Sequence, residues 1–271
     1  MRLYKLKVIL KTGILGVWVL AAGSLCITAQ AETPEEKGLA IARKAKQLDI
    51  GWSDMQAEMK MILRNSQGEE SLREIRTKSL EVENDGDKGL NVFDQPRDVK
   101  GTAFLSFSHP VGADDQWLYL PALKRVKRIA SRNKSGPFMG SEFAYEDLTS
   151  FEVEKFTYKY VRDEACGEWQ CFVVEQYPVD KFSGYTRRVI WLDQQEYRPY
   201  KIDFYDRKNS LLKTQAFQDY QQYLDKYWRP DLITMVNHQT GKSTDLHWAN
   251  YRFKTGLSDA DFNKNTLKRA R

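Results

Sequence analysis

The sequence alternates between apolar and polar positions over most of its length. Met55, Ala57, Met59, Met61 and Leu63 share one parity, against Asp54, Gln56, Glu58, Lys60 and Ile62 on the other. A period of two predicts a half-buried β-strand. Strand-like segments recur at residues 72–82, LNVFD, KGTAFLSFS, WLYLP, FEVEKFTYKYV, CFVVEQYP, TRRVIWLD, PYKIDFYD, LLKTQAFQDY, DLITMVNHQ and STDLHWANYRF. Short polar turns such as KNS and QTGK separate most of them. About ten strands at spacings of roughly ten residues predict an antiparallel meander rolled into a barrel or half-barrel.

The period changes near the two ends. Thr33-Pro34-Glu35-Glu36 is a helix start: Thr33 caps, Pro34 suits the first helical position and Glu36 completes a capping box. Ile41, Ala45 and Leu48 then share one helical face, so an amphipathic helix is predicted to about residue 49, ended by Gly51. Ser258 to Asp261 predict a short C-terminal helix.

Residues 131–150, SRNKSGPFMGSEFAYEDLTS, break the strand pattern in the middle. The stretch is too long for a hairpin turn. It offers Gly136, Pro137 and Gly140 as hinges, yet also carries Phe138, Met139, Phe143 and Tyr145. A solvated loop has no need of four large apolar side chains. They either plug the domain's own core or cover something that comes and goes.

Charge and cysteine usage narrow the setting. Arg2, Lys5, Lys7 and Lys11 precede a short apolar run, Ile14 to Ala22, and Ala29-Gln30-Ala31 forms a small-x-small site. Residues 1–31 therefore read as a secretory signal peptide cut after Ala31, leaving 32–271 as one domain. Cys26 is lost with it. Four of the 42 basic residues and none of the 37 acidic ones lie in that segment, so the formal charge falls from +5 to +1. A near-neutral domain is a poor nucleic-acid binder, so any basic patch is local. The remaining cysteines, Cys166 and Cys171, sit in ACGEWQC between strand-like flanks and predict a disulfide across a hairpin. A loop this short stabilises by about 2 kcal/mol in the chain-entropy account.

Catalytic patterns are missing. HExxH, GxSxG and GxxxxGK[ST] do not occur. His238 and His247 can approach across the QTGK turn with Asp245 as a third ligand, but a surface histidine on paired strands is the commoner situation. Neither a metal, a cofactor nor an enzymatic activity is expected.

The aromatic residues suggest binding instead. Trp117 and Tyr119 share a parity, as do Phe156, Tyr158 and Tyr160. A rolled sheet of this size can enclose more interior than its side chains fill, and such interiors commonly hold an apolar ligand; an ordinary sandwich core is the alternative. Met55, Met59 and Met61 add an adaptable apolar surface. Pro121 splits WLYLPALKRVKRI, residues 117–129, into an aromatic half and a basic half carrying Lys124, Arg125, Lys127 and Arg128. Those four charges suit lipid phosphates or an acidic partner, or form a solvated face bridged to nearby carboxylates.

KGTAFL, DDQWLYLPALKRVKRI and NKSGPFMGSEFAYED, with WLD at 191–193 and NHQTGKST at 237–244, resemble the LolA-like outer-membrane lipoprotein-sorting proteins. More closely, the chain resembles the branch often found beside membrane exporters of the resistance-nodulation-division type. The resemblance implies an incomplete antiparallel β-barrel around an apolar cavity, with a helical and loop lid, and a periplasmic carrier that shields acyl chains of lipids or lipoproteins. It favours a removable lid over 136–145. On this basis Trp117, Tyr119, Phe138, Met139, Phe143, Tyr145, Met59 and Trp191 are expected at the cavity or lid, and Lys124, Arg125, Lys127 and Arg128 at a basic rim or docking patch. The implied partners are an acyl cargo and an inner-membrane exporter or outer-membrane acceptor. The alternative is a protein-binding accessory of such an exporter.

Overall fold

The computed structural model describes residues 32–269; the segment read as a signal peptide lies outside them. A single α-helix among these residues, α1 (Pro34–Leu48), precedes thirteen strands. They are β1 (Asp54–Arg64), β2 (Glu70–Leu80), β3 (Lys88–Gln95), β4 (Ala103–Phe107), β5 (Asp115–Leu120), β6 (Arg125–Arg128) and β7 (Phe156–Cys166). Then follow β8 (Trp169–Pro178), β9 (Tyr185–Asp193), β10 (Pro199–Asp206), β11 (Leu211–Tyr223), β12 (Tyr227–Asn237) and β13 (Ser243–Phe253).

The strands form one antiparallel sheet in the order β6-β5-β4-β3-β2-β1-β13-β12-β11-β10-β9-β8-β7. Apart from β6 and β7, strands consecutive in the chain pair with one another, and β1 pairs with β13 to join the two arms. The two edges, β6 and β7, do not pair, so the sheet is an open half-barrel. Those edge strands are consecutive in the chain. Residues 129–155 must therefore travel from one edge of the sheet to the other, and they do so across its inner face. The irregular stretch in the sequence is the price of this topology.

The capping box forms as expected: the Glu36 amide donates to Thr33 Oγ1 (3.2 Å), and the Thr33 amide to Glu36 Oε2 (2.9 Å). The helix buries Ile41 and Ala42 against the sheet and lies along edge strand β7. Gly38 makes that approach possible: a Cβ there would sit 2.8 Å from the Tyr160 backbone nitrogen. Covering an edge is one way to prevent unwanted strand addition. The C-terminal helix expected from Ser258 is a single 3-10 turn, Asp259–Asp261.

Side-chain parity sorts the apolar residues into three clusters. The main one lies on the inner face and includes Met59, Met61, Ile75, Phe93, Phe104 and Leu118, together with Ile190, Ile202 and Phe204 of the other arm. On the outer face of the β3–β6 arm, Leu90, Val92, Ala103 and Leu105 pack with Phe262 and Leu267 of the C-terminal segment. On the outer face of the other arm, Val173, Val189 and Trp191 pack with the Cys166–Cys171 disulfide, whose Cα atoms are 5.9 Å apart.

Two expectations of parity are corrected here. Trp117 and Tyr119 belong to the outer cluster under the C-terminal segment, and their neighbours Leu118 and Leu120 face inward. The pairing fixes this: Leu118 is opposite Phe104, and Trp117 opposite Leu105. Both faces of β5 are covered, so aromatic bulk alone did not identify the inner one. Trp191 likewise packs outward against the disulfide, with Lys201 Nζ 3.8 Å from its ring centre, while Ile190 and Leu192 point inward.

Candidate functional site

The inner face differs between its two arms. Over β1–β5, residues 137–144 form a tight hairpin closed by the Phe138 amide donating to the Phe143 carbonyl (2.7 Å). Its turn uses Met139 (φ 50°) and Gly140 (φ 82°), both left-handed. The hairpin drives Phe138 and Phe143 into the core, where they are 1% and 2% exposed. The Phe138 ring lies 5.1 Å from Phe104, 5.9 Å from Phe93 and 5.6 Å from Tyr145. Met59 lies in the same cluster and Met139 packs against it. The side chains expected at a lid thus fill this arm.

Over β8–β12 the interior is not filled. A cavity of about 830 Å³ lies there, bounded by the inner sheet face, α1 and residues 146–156. Its apolar wall includes Ala42 and Ala45 from the helix, Phe151 and Phe156, and Ile190, Leu192, Ile202, Phe204, Phe217 and Ile233 from the strands. None of Met59, Trp117, Tyr119, Phe138, Met139, Phe143, Tyr145 and Trp191 lines it. The volume matches the range of small-molecule and cofactor sites.

Polar groups at the boundary tie the connecting segment down. Lys213 Nζ of β11 meets Asp147 Oδ2 at 2.7 Å, with both side chains almost wholly buried, and also donates to the Glu142 carbonyl (2.8 Å). The Tyr185 hydroxyl donates to Asp147 Oδ1 (2.9 Å), and the Ala144 amide to Asp147 Oδ2 (2.7 Å). Burial and then the Asp147 charge hold the Tyr185 hydroxyl well above the usual phenol range. Glu146 accepts from Ser183 Oγ (2.7 Å) and the Gly184 amide (2.8 Å); burial, then Asp147, pushes its carboxyl up. Gln116 Nε2 donates to the Tyr145 carbonyl (2.8 Å) on the far side. A buried pair of this kind is costly to break because either survivor is left charged and desolvated.

Arg188 of β9 stands on the cavity wall between Gln176 and Phe156. Its Nε and Nη2 donate to Gln176 Oε1 (3.1 and 2.6 Å), and its guanidinium lies 4.0 Å from the Phe156 ring centre. Burial draws its pKa down, with Asp147 and the two nearby tyrosines acting in the opposite direction. Asp87, also at the cavity, is raised to about 6 by burial, with Lys46 opposing.

The basic residues sit elsewhere. Lys124 adopts φ 48° after the 3-10 turn Pro121–Leu123, and Arg125, Lys127 and Arg128 lie exposed on edge strand β6. Pairing places Arg125 and Lys127 opposite Leu120 and Leu118, on the inner parity, and Arg128 opposite Trp117, on the outer parity. Arg128 bridges to Asp115. The patch is therefore split between two faces of an edge. His238 Nε2 contacts Thr214 Oγ1 at 2.8 Å.

The cavity residues had a signal in the sequence that the search for aromatic residues passed over. In TRRVIWLD, Arg188 shares its parity with Ile190 and Leu192; in LLKTQAF, Lys213 shares its parity with Gln215 and Phe217. A cation at an inward apolar parity marks either a buried ion pair or a ligand site; Lys213 forms a buried ion pair, and Arg188 bonds to Gln176 on the cavity wall.

An open antiparallel half-barrel with a cavity under a helix and a crossing segment has the form of a binding fold. A family model described as an uncharacterized protein matches residues 85–269. A solved domain from Vibrio parahaemolyticus, described as a candidate outer-membrane lipoprotein-sorting protein, is 64% identical; the match covers 87% of this chain and 100% of that one, with a TM-score of 0.85. A DUF1329 family protein from Desulfovibrio piger is 29% identical over 87% of this chain and 99% of that one, with a TM-score of 0.82. A LolA superfamily protein from Nitrosomonas europaea shares the fold at 21% identity and a TM-score of 0.68, over 84% and 98% of the two chains. No curated protein sequence matches. The chain belongs to the family of outer-membrane lipoprotein-sorting protein domains represented by the Vibrio parahaemolyticus structure, and it shares its fold with the LolA superfamily protein.

Proposed function

We propose that the protein is a periplasmic carrier that shelters an acyl chain of a lipid or lipoprotein in the cavity of the β8–β12 arm and moves it between envelope membranes. The observation that carries this reading is the cavity itself: about 830 Å³ left open inside a domain whose other arm is filled by its own aromatic side chains. Proteins pack their interiors closely, so a void of this size is a feature that needs an occupant. Moving a sixteen-carbon chain into water costs about 12 kcal/mol, at ~0.8 per methylene. The apolar wall from Ile190 to Ile233 supplies that burial, and the helix and residues 146–156 form the movable cover. Family membership supports the same role. No described helix is long and apolar enough to cross a membrane.

A second reading, a protein-binding accessory of an envelope exporter, draws on the exposed basic edge strand β6. The two can coexist, since β6 and the cavity lie on different arms.

Native mass spectrometry of protein purified from membranes tests the carrier reading. The expected result is a co-purifying lipid that is released on denaturation. Protein that arrives empty and binds no lipid or fluorescent fatty acid on addition contradicts it.

A further inference from the structure

The cations around the cavity are nearly all matched to carboxylates. Lys46 pairs with Glu152 (3.1 Å), Lys134 with Asp180 (2.7 Å) and Lys155 with Asp114 (2.6 Å). Arg198 pairs with Asp193 (2.9 Å) and Arg229 with Asp49 (2.7 Å). Lys226 donates to the Ile50 carbonyl (2.7 Å). Arg188 shares with the exposed Lys226 the lack of a carboxylate bridge among the described residues, but it is half-buried on the cavity wall and its hydrogen bonds go to the neutral amide oxygen of Gln176.

The nearby acids are already engaged. Asp147 is held by Lys213 and Tyr185, and Glu146 by Ser183 and Gly184. Glu154 is exposed. A half-buried guanidinium that bonds only to a neutral amide, beside acids committed to other donors, keeps donors for an anion entering the cavity. Its fork of donors suits a carboxylate or phosphate in two-point contact. Phe156 stacks at 4.0 Å on the guanidinium and limits its orientation. Ile190, two residues along the same strand and on the same parity, begins the apolar wall, so head and tail of one amphiphile would lie in sequence along it.

We infer that Arg188, held by Gln176 and Phe156, is the headgroup receptor of the cavity, and that the cavity selects single-chain amphiphiles with an anionic carboxylate or phosphate over neutral ones. The inference rests on the carrier reading and adds the chemical class of the cargo. A single chain suits a cavity volume in the range of one small ligand.

The test uses the delipidated protein and the neutral probe N-phenyl-1-naphthylamine, displaced by matched ligands. Oleic acid is compared with oleyl alcohol, and lysophosphatidic acid with monoolein, in the wild type, Arg188→Gln and Arg188→Lys. The wild type is expected to favour the anion of a pair by about tenfold or more, the size of a charge-assisted hydrogen bond. Arg188→Gln should abolish that preference and leave the neutral ligands within about twofold, while Arg188→Lys retains part of it. Preference for oleic acid alone assigns a carboxylate; preference shared with lysophosphatidic acid assigns any anionic headgroup. Equal binding of acid and alcohol by the wild type overturns the inference and leaves the carrier reading standing. Preference that survives Arg188→Gln overturns the role of this residue. Failure of the probe and of all four ligands removes both readings. If Arg188→Gln does not fold, the wild-type ratio of acid to alcohol decides.

Discussion

The strands carrying Phe93, Phe104 and Leu118 and those carrying Ile190, Ile202 and Ile233 belong to one sheet and face the same interior. The first group is covered by a hairpin that inserts Phe138 and Phe143 between the strand side chains. The second is covered at a distance by α1 and residues 146–156, and a cavity remains beneath them. One arm therefore behaves as a conventional core and holds the domain together, and the other is left unfilled at some expense in stability. Under the proposed function, the first arm serves structure and the second serves binding.

The buried Lys213–Asp147 pair ties the crossing segment to β11, and breaking it should have the largest effect. Lys213→Met leaves Asp147 buried without its cation and is expected to destabilise by about 3–5 kcal/mol, measured by urea unfolding. A loss below 1 kcal/mol would mean that the connecting segment is not held there. Truncation separates the arms next. Phe138→Ala should cost about 3–5 kcal/mol, because the hairpin cannot collapse to refill the space. Phe217→Ala, on the cavity wall, should cost less than half as much and instead weaken fatty-acid binding.

Enlargement gives the converse. Leu118→Phe overpacks the filled arm and should destabilise by about 1–3 kcal/mol. Ile233→Phe projects into free space and should stay within about 0.5 kcal/mol while reducing ligand capacity. Equal cost at the two sites would remove the distinction between the arms. The smallest effect is a dependence on pH at the cavity. Asp87 is raised to about 6, so the folded state holds its proton more tightly than the unfolded chain does. Its contribution favours folding at low pH and is lost as pH rises from the ordinary carboxylate range through about 6. Asp54, Asp85 and Asp180 are shifted downward and act oppositely, so the readout is a difference. The melting temperature of Asp87→Asn minus that of the wild type should increase between pH 4 and 7.

Much of this architecture is legible in the sequence, because the period of two, the capping box at Thr33 and the spacing of Cys166 and Cys171 are local signals. The inner face was not. Trp117 and Tyr119 carry the larger apolar surface of β5, yet the C-terminal segment around Phe262 covers them, and no local pattern announces a cover that lies so far along the chain. The same holds for Trp191, which is covered by the disulfide hairpin. The hairpin at 137–144 is recognisable as apolar and hinged, but whether it fills or merely shields depends on Phe93 and Phe104, which only the folded sheet brings beneath it. Arg188 was visible as a charge at an inward parity, and its significance emerges once Lys46, Lys134, Lys155, Arg198 and Arg229 are each seen to have a carboxylate of their own.

Photo-crosslinking addresses the central claim, that cargo occupies the β8–β12 arm while the hairpin stays in place. A fatty acid bearing a terminal diazirine is bound, irradiated and mapped by peptide mass spectrometry. Labels concentrated on peptides containing Ile190, Ile202, Phe217 and Ile233 are the predicted result. Labels on Phe93, Phe104 or Phe138 would contradict the account, because they require the chain to displace the plug and fill the other arm.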